Sequence, residues 1–183
     1  NSVRMSNVDL TQDELADLQQ LHSIELLHLE GIHATGETLT YLGSRDKLRI
    51  VWLDGEKPLP SGDGEGLLAL REATQLERLT LENVTLPPTG LAFLNNCPHL
   101  KRLELIGISV GDNALSAIKN CFQLERLSLP GARLTSRGLD ELTDLPRLTH
   151  LDLSDAHIAA GGYEAIGRLP PFESLLLACA HAA

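Results

Sequence analysis

Hydrophobic positions recur along the chain at a nearly fixed interval. A large apolar residue opens each block: Ile24, Leu48, Leu76, Leu100, Leu124, Leu148 and Phe172. Successive openings are 24 residues apart except for one interval of 28, and Val3/Met5 fit the same frame one block earlier. Two further apolar residues follow three and five positions after each opening, as in Leu79 and Leu81. Self-similarity at a period of this length is the signature of stacked repeats, and it predicts about 7–8 of them.

Two periodicities coexist within each block. The paired apolar residues alternate with more polar ones, which is the pattern of a strand with one buried face. Apolar residues then return at helical spacing, at Leu91/Leu94, Leu115/Ile118, Leu139/Leu142 and Tyr163/Ile166. One strand and one short helix leave no room for a hairpin, so neighbouring strands must be parallel. We therefore expect an α/β fold, a right-handed solenoid with a curved parallel β-sheet on its concave face and short helices on its convex face.

Small or turn-forming residues mark the joints of each block. Before the first helical apolar residue, five blocks carry Gly66, Gly90, Ala114, Gly138 or Gly162, where a larger side chain would hold the helix away from its neighbour. After each strand the residue tolerates a left-handed or tight backbone: Asn7, Gly31, Gly55, Asn83, Gly107, Gly131 or Asp155. Both features predict closely stacked repeats.

The segment from Leu76 to Leu86 reads L-E-R-L-T-L-E-N-V-T-L. It resembles the leucine-rich-repeat family, whose pattern is L-x-x-L-x-L-x-x-N/C-x-L, and the resemblance extends over essentially the whole chain. One departure is systematic, because the inward Asn or Cys is replaced by Val8, Ile32, Val84, Ile108, Ala132 and Ala156. The asparagine ladder of the family is therefore missing, and apolar packing is expected to close these turns.

Two repeats also resemble the cysteine-containing subclass of that family, through Cys97 and Cys121 at equivalent positions. That subclass is known from the substrate-recruiting halves of F-box ubiquitin-ligase adaptors, and short-period versions occur in bacteria. No F-box precedes the repeats, so the resemblance does not imply ligase recruitment.

The whole chain, residues 1–183, is interpreted as one repeat domain. The repeat at 48–75 is irregular because it holds an insertion at 54–66, which is rich in glycine, proline and acidic residues. Its acidic residues lack the ligand spacing of a twelve-residue calcium loop, so a surface loop is expected rather than a metal site. Loops placed by a rigid scaffold often contribute to recognition, and this one leaves the strand that holds Trp52.

Three residues of each strand are predicted to point out of the sheet and to form three columns across the repeats. The first column is Ser2, Leu26, Ile50, Arg78, Arg102, Arg126, His150 and Ser174. The second is Arg4, His28, Trp52, Thr80, Glu104, Ser128, Asp152 and Leu176, and the third is Ser6, Glu30, Asp54, Glu82, Ile106, Pro130, Ser154 and Ala178. The columns hold four arginines and five acidic residues. This surface is nearly neutral on an acidic body, which suits a protein epitope of mixed charge.

Trp52, the single tryptophan, falls on this predicted surface beside Ile50 and Leu26. Tryptophan is enriched at interface hot spots, and a large apolar group left in water favours a binding role. The alternative is that the ring packs on neighbouring side chains or covers the loop that follows it.

Arg78, Arg102 and Arg126 are predicted to stack in register on strands about 4.8 Å apart, where like charges repel. Either Glu104 and Asp152 neutralise them in an ion-pair lattice, or the guanidinium row awaits acidic groups on a partner. The predicted partner-binding surface is Ile50, Trp52, Asp54, Arg78, Arg102, Glu104, Arg126, His150 and Asp152.

Composition narrows the classes of function. The net charge of −10 and pI near 5.1 argue against nucleic acid as a partner, and no apolar run is long enough for membrane insertion. Cys97 and Cys121 are expected to be buried, inert thiols, and no nucleophile is placed to use His150 and Asp152 as an acid–base pair. The scattered histidines predict no metal site, and no cofactor motif is present. An enzyme is therefore not predicted.

The sequence thus predicts a protein–protein interaction module that binds its partner on the concave face without catalysis. The alternative is the targeting or substrate-recognition part of a larger enzyme or adaptor whose other domain lies outside this chain. The chain opens on a strand and is expected to stop within another, near Cys179, which is consistent with missing sequence, self-association through uncapped ends or a frayed terminus. Unpaired cysteines and the lack of a visible signal peptide favour the cytoplasm, although the start at Asn1 leaves a removed leader open.

Overall fold

The computed structural model describes residues 1–7, 21, 23–31, 46–55, 67–84, 86, 89–178 and 180–182. The predictions for Val8, Ile32, Gly66, Cys179 and the insertion beyond Gly55 lie outside the described residues.

A parallel sheet of eight strands runs the length of the described chain. Its strands are β1 (Ser2–Ser6), β2 (Leu26–Glu30), β3 (Ile50–Asp54), β4 (Arg78–Glu82), β5 (Arg102–Ile106), β6 (Arg126–Ser128), β8 (His150–Asp152) and β10 (Ser174–Leu176). Trp52 pairs with His28 on one side and Thr80 on the other, and Arg102 pairs with Arg78 and Arg126. The predicted register of the first two columns is confirmed.

The core lies behind this sheet and consists mostly of leucine. The strand leucines point inward and are buried, as Leu79, Leu103 and Leu127 show. Val84, Ile108, Ala132 and Ala156, which replace the inward Asn or Cys, are also buried. Many small aliphatic layers, rather than a few large rings, therefore remove the apolar surface from water.

Short helical turns on the other side of the core return the chain to the next strand. They are the 3-10 helices Leu68–Glu72, Ala92–Asn96 and Glu141–Asp144 and the α-helices α1 (Asp112–Ile118), α2 (Ser136–Asp140) and α3 (Gly162–Arg168). Short helical segments are thus confirmed at the four predicted places, but two of the structure's 3-10 helices, Ala92–Asn96 and Glu141–Asp144, hold residues of the predicted pairs.

Two residues of these segments differ from the sequence pattern. Phe93 is fully buried in a 3-10 helix, although it lies outside the predicted helical pair. Tyr163 is 43% exposed, because Ala165 and Ile166 occupy the inward side of α3. In a helix of about one turn, the residue at which the helix begins determines which side chains point inward. Hydrophobic periodicity alone does not determine that residue.

A second, three-stranded parallel sheet joins the later repeats. It comprises β7 (Arg133–Leu134), β9 (His157–Ile158) and β11 (His181–Ala182), in the order β11-β9-β7. Backbone hydrogen bonds run from repeat to repeat here, for instance from His157 N to Ala132 O at 2.7 Å. These turns are therefore closed by a backbone ladder in addition to the predicted apolar packing.

The turns after the strands and the close contacts between helical segments confirm the predictions made from the small residues. Six of the seven turn residues have positive φ: Asn7, Gly31, Asn83, Gly107, Gly131 and Asp155. A Cβ at Gly162 would collide with the side chain of Ile158, and one at Gly138 with that of Asp112 on the preceding turn. Asp112 holds the next repeat through Thr135, whose backbone N and Oγ1 both donate to its carboxylate, at 2.9 and 2.6 Å.

Candidate functional site: the concave face

The outward-pointing residues of the main sheet form one continuous surface, which we call the concave face. All nine residues predicted to bind a partner have their side chains on it, because they alternate with buried residues along the strands. The structure divides them into two halves. We call the side chains of β2–β3 with Glu82 the aromatic–acidic half, and Arg102, Arg126 and the outward residues of β8 the basic half.

Trp52 dominates the aromatic–acidic half. Its ring stacks face to face on His28, with the centroids 4.4 Å apart and the planes within 3° of parallel, and it is still 42% exposed. The ring therefore packs on a neighbouring side chain, as the second alternative from the sequence expected, and it also remains open to solvent. Because His28 lies on β2, the face of the indole that it does not cover is on the side of β4, where Thr80 pairs with Trp52 in the sheet.

His28 is itself unusual. Its Nε2 atom is buried without a hydrogen-bond partner among the described residues and lies 4.0 Å from Glu30 Oε2. Buried polar atoms normally have a hydrogen-bond partner, so this nitrogen is an exception among the described residues.

A row of carboxylates flanks the stack. Glu30, Asp54 and Glu82 are in register at the ends of β2, β3 and β4. Burial raises the pKa of Glu82, and repulsion from Asp54, Glu104 and Glu30 raises it further. Asp54 accepts a hydrogen bond from Asn83 Nδ2 at 3.3 Å, and no Lys or Arg of the described part of the chain pairs with any of the three row carboxylates. This row is a concentration of negative charge that its described neighbours leave unbalanced.

The arginine row is only partly compensated. Arg102 is held by Glu104, whose Oε1 accepts from Nε at 2.9 Å and from Nη2 at 2.5 Å. Glu104 also accepts a hydrogen bond from Thr80 Oγ1 at 2.9 Å. Arg78 and Arg126 are exposed, and neither has a carboxylate within ion-pair distance in the part of the chain that is described. The predicted ion-pair lattice thus exists for one arginine of three.

The basic half contains a shallow depression of about 210 Å³. Its outward-pointing lining includes Arg102, Glu104, Arg126, Ser128, His150 and Asp152. The structure therefore brings five of the nine predicted residues together, whereas Ile50, Trp52, Asp54 and Arg78 lie outside the depression.

His150 and Asp152 do not form an acid–base pair. His150 Nδ1 lies 2.8 Å from Thr149 Oγ1, and its Nε2 lies 3.9 Å from Glu173. Asp152 accepts hydrogen bonds from Ser128 Oγ at 3.0 Å and from Ser154 Oγ and N at 2.6 and 2.9 Å. Burial raises its pKa, but these hydrogen bonds outweigh burial and leave the pKa below its ordinary value. The carboxylate is held as an anion by hydroxyls, which is a fixed surface feature rather than a proton-transfer arrangement.

Comparison with solved structures identifies the architecture. The internalin inlF of Listeria monocytogenes matches 100% of this chain and 48% of its own, with a TM-score of 0.69 and 21% identity. Internalin C2 of the same organism matches 100% of this chain and 73% of its own, with a TM-score of 0.66 and 19% identity. The plant peptide hormone receptor RGFR1, in complex with RGF2, matches 98% of this chain and 31% of its own, with a TM-score of 0.64 and 18% identity.

This is a leucine-rich-repeat fold. The chain spans about half the length of inlF and a smaller share of RGFR1. No protein-family model matches the sequence, and no curated protein matches it at a significant level.

A charged rim, which was not predicted from the sequence, borders the leucine-rich-repeat sheet. Glu77, just before β4, accepts from Arg49 Nη2 at 2.6 Å and from Lys101 Nζ at 3.0 Å, so it links the repeats on either side. These two hydrogen bonds, first to Lys101 and then to Arg49, lower its pKa. The signal was present in the sequence, since the residue before the first column alternates in sign from Glu25 through Lys101.

The two described thiols are buried, as predicted. Burial raises the pKa of Cys97 to about 12 and that of Cys121 to about 11. Cys121 Sγ approaches Leu94 O of the preceding repeat at 3.6 Å, and Cys97 Sγ approaches Phe93 O at 3.7 Å. Both thiols are free rather than disulfide-bonded.

A larger groove of about 640 Å³ lies between the 3-10 helix Ala92–Asn96 and α1, and no predicted site residue lines it. Among the described residues, no group of three His, Cys, Asp or Glu side chains is arranged to hold a metal ion. None of the described helices is long and apolar enough to cross a bilayer.

Proposed function

We propose that this chain is a protein-binding module that docks its partner on the concave face. The observation that carries the proposal is the exposed Trp52 ring, which stacks on His28 in a sheet of fixed register. An aromatic anchor whose rotamer is already fixed loses little conformational entropy on binding, which is the property of an interface hot spot.

The structural relatives support this role at a coarse level. The receptor RGFR1 was solved in complex with RGF2, so a related solenoid holds a binding partner. We extend protein binding to this chain, and we extend the interface to Ile50, Trp52, Asp54, Arg78, Arg102, Glu104, Arg126, His150 and Asp152.

Capture of partners by matched variants tests the proposal. The immobilised chain is compared with Trp52→Ala and Arg126→Glu, and bound proteins are quantified by mass spectrometry. Tyr163→Ala and Arg137→Glu are the controls, since Tyr163 is as exposed as Trp52 but lies on α3, and Arg137 is exposed on α2. We expect a set of proteins that both controls retain and both concave-face variants lose by about tenfold or more. Equal capture by all five proteins would move the interface elsewhere.

A second candidate is that the solenoid is the targeting or substrate-recognition part of a larger enzyme or adaptor. It is favoured by the greater length of the matching chains, of which this chain covers 48% and 31% in two cases. The full reading frame tests it, because a catalytic domain beside the repeats would support this role and a frame that encodes only repeats would exclude it.

A further inference from the structure

The concave face is electrically divided, and the division indicates what its partner looks like. The carboxylates Glu30, Asp54 and Glu82 occupy one end of β2–β4, whereas Arg78, Arg102 and Arg126 occupy the opposite end of β4–β6. The two rows overlap only on β4. A partner that complements this face must therefore carry both signs of charge in a fixed order.

Thr80 on β4 separates Trp52 on β3 from Glu104 on β5, and we call the space above Thr80 the slot. One wall is the face of Trp52 that His28 does not cover, and the other is Glu104, which Thr80 Oγ1 contacts at 2.9 Å. Glu82 stands two residues further along the same strand, and Thr80 is too small to fill the space between the walls.

The chemistry of this slot favours a cation. A lysine or arginine side chain over an indole face gains a cation–π interaction, and Glu82 would supply a carboxylate beside it. Glu82 gains most from such a neighbour, because its burial and three surrounding carboxylates disfavour its ionised form. Arg78 lies on the same strand at the other side of Thr80, so an incoming cation is directed towards the Glu82 side.

The basic half offers the opposite charge. Arg102 is already engaged by Glu104, which leaves Arg126 as the exposed guanidinium of the depression. A guanidinium accepts a carboxylate through two parallel hydrogen bonds, and the Ser128 hydroxyl lines the same depression.

The distance between the two positions sets the spacing of the partner's charges. Thr80 and Arg126 are two strands and one column apart, which corresponds to about 12 Å at the spacings of a parallel sheet. An extended chain covers that distance in about four residues, and an even separation keeps both side chains on one side of the chain.

We propose that the concave face binds an extended segment of a partner protein with a basic and an acidic residue about four positions apart, the basic side chain in the slot between Trp52 and Glu104 and the acidic side chain on Arg126. This inference rests on the proposed function and adds the chemistry and spacing of the partner.

Selection of random dodecapeptides displayed on phage against the whole chain tests the inference. The enriched peptides are synthesised, and their affinities for the chain are measured by fluorescence polarisation. We expect a Lys or Arg and an Asp or Glu about four residues apart in the enriched peptides, and a loss of affinity of about 5- to 20-fold when either is changed to alanine.

Double-mutant cycles then assign each charge to its site. Glu82→Gln should lower the affinity of the chain for the selected peptide, but not its affinity for the peptide in which the basic residue is alanine. Arg126→Gln should likewise lower the affinity for the selected peptide, but not for the peptide in which the acidic residue is alanine. Glu164→Gln on α3 and Arg137→Gln on α2 are exposed controls that should leave every affinity unchanged.

The outcomes separate the inference from the function on which it rests. Peptides that lose affinity with Trp52→Ala but show no charge pair, or show no coupling in the cycles, would overturn the inference and leave the proposed function standing. If no selected peptide binds more weakly to Trp52→Ala than to the parent chain, both are overturned.

Discussion

The two halves of the concave face use charge in opposite ways. In the basic half, Asp152 is bound by three donors and Arg102 by a carboxylate, so most charges there are satisfied within the fold. In the aromatic–acidic half, Glu82 faces like charges and His28 has a buried nitrogen without a hydrogen bond. The same repeat framework thus carries one half whose charges are largely satisfied and one half whose carboxylates and ring nitrogen are not satisfied by the described residues.

Substitutions in the core should have the largest effects on stability, and they test whether the two halves differ only at their surface. Leu127→Ala, behind the basic half, and Leu29→Ala, behind the aromatic–acidic half, should each lower the free energy of unfolding by about 2–5 kcal/mol, because both residues are buried and leave a cavity. Urea denaturation measures both, and Leu176→Ala on the exposed end of β10 is the control, with a loss of a few tenths expected. A large gap between the two core variants would mean that the halves differ in their packing as well.

Removal of one carboxylate from each half should have effects of opposite sign. Asp152→Asn should destabilise the fold by about 1 kcal/mol, because it weakens the hydrogen bonds from Ser128 and Ser154. Glu82→Gln should stabilise it by a few tenths, because it removes a carboxylate that its neighbours repel.

The pH dependence of these two carboxylates follows from their pKa shifts. The lowered pKa of Asp152 gives stability above the unfolded pKa that is lost as the pH falls through the folded pKa. The raised pKa of Glu82 costs stability above the folded pKa, and that cost disappears as the pH falls through it. Titration of both side chains by NMR checks the order, and Glu82 ionising below a normal glutamate would contradict the unsatisfied acidic half.

Glu77 links the two halves along the rim, and its effect should be smaller. Glu77→Gln should cost about 0.5–1 kcal/mol, since Arg49 and Lys101 are about half exposed and their ion pairs are screened by water. Because the folded pKa of Glu77 is lowered, this contribution exists at neutral pH and is lost as the pH falls below the ordinary pKa of a glutamate. Thermal unfolding of both proteins across pH 3–7 measures it, and a constant difference in Tm would exclude the linkage.

The smallest predicted effect compares two arginines of one row. Arg102→Ala should destabilise the fold by about 0.5 kcal/mol through the loss of its pair with Glu104, whereas Arg126→Ala should stay within a few tenths of the parent. Equal losses of stability would mean that Arg126 also forms an interaction within the fold. That result would contradict its proposed role in binding a partner.

The sequence predicted the framework well because it is periodic. A side chain in a parallel stack inherits its neighbours from the repeat length, so the pairing of Trp52 with His28 and Thr80 followed from counting alone. The assignment of Tyr163 as a helical core residue was wrong, and the short strands β7, β9 and β11 were missed, because one turn or two residues carry too little pattern.

The interactions among the side chains of the concave face were less predictable from the sequence than which residues lie on it. Which arginine pairs with Glu104 depends on side-chain geometry, which the positions of the residues in the sheet do not determine. The stacking of His28 on Trp52 and the raised pKa of Glu82 depend on burial and on several neighbours together, which no single position reveals.

The central claim is that partners bind on the concave face, and Trp52 tests it directly because it is the only tryptophan in the chain. Its indole emission reports on this surface and no other. Titration with a captured partner or selected peptide that lacks tryptophan should shift the emission to shorter wavelength, with the same midpoint as binding measured by calorimetry, as the exposed ring leaves water. Saturable binding by calorimetry with unchanged Trp52 emission would contradict the account.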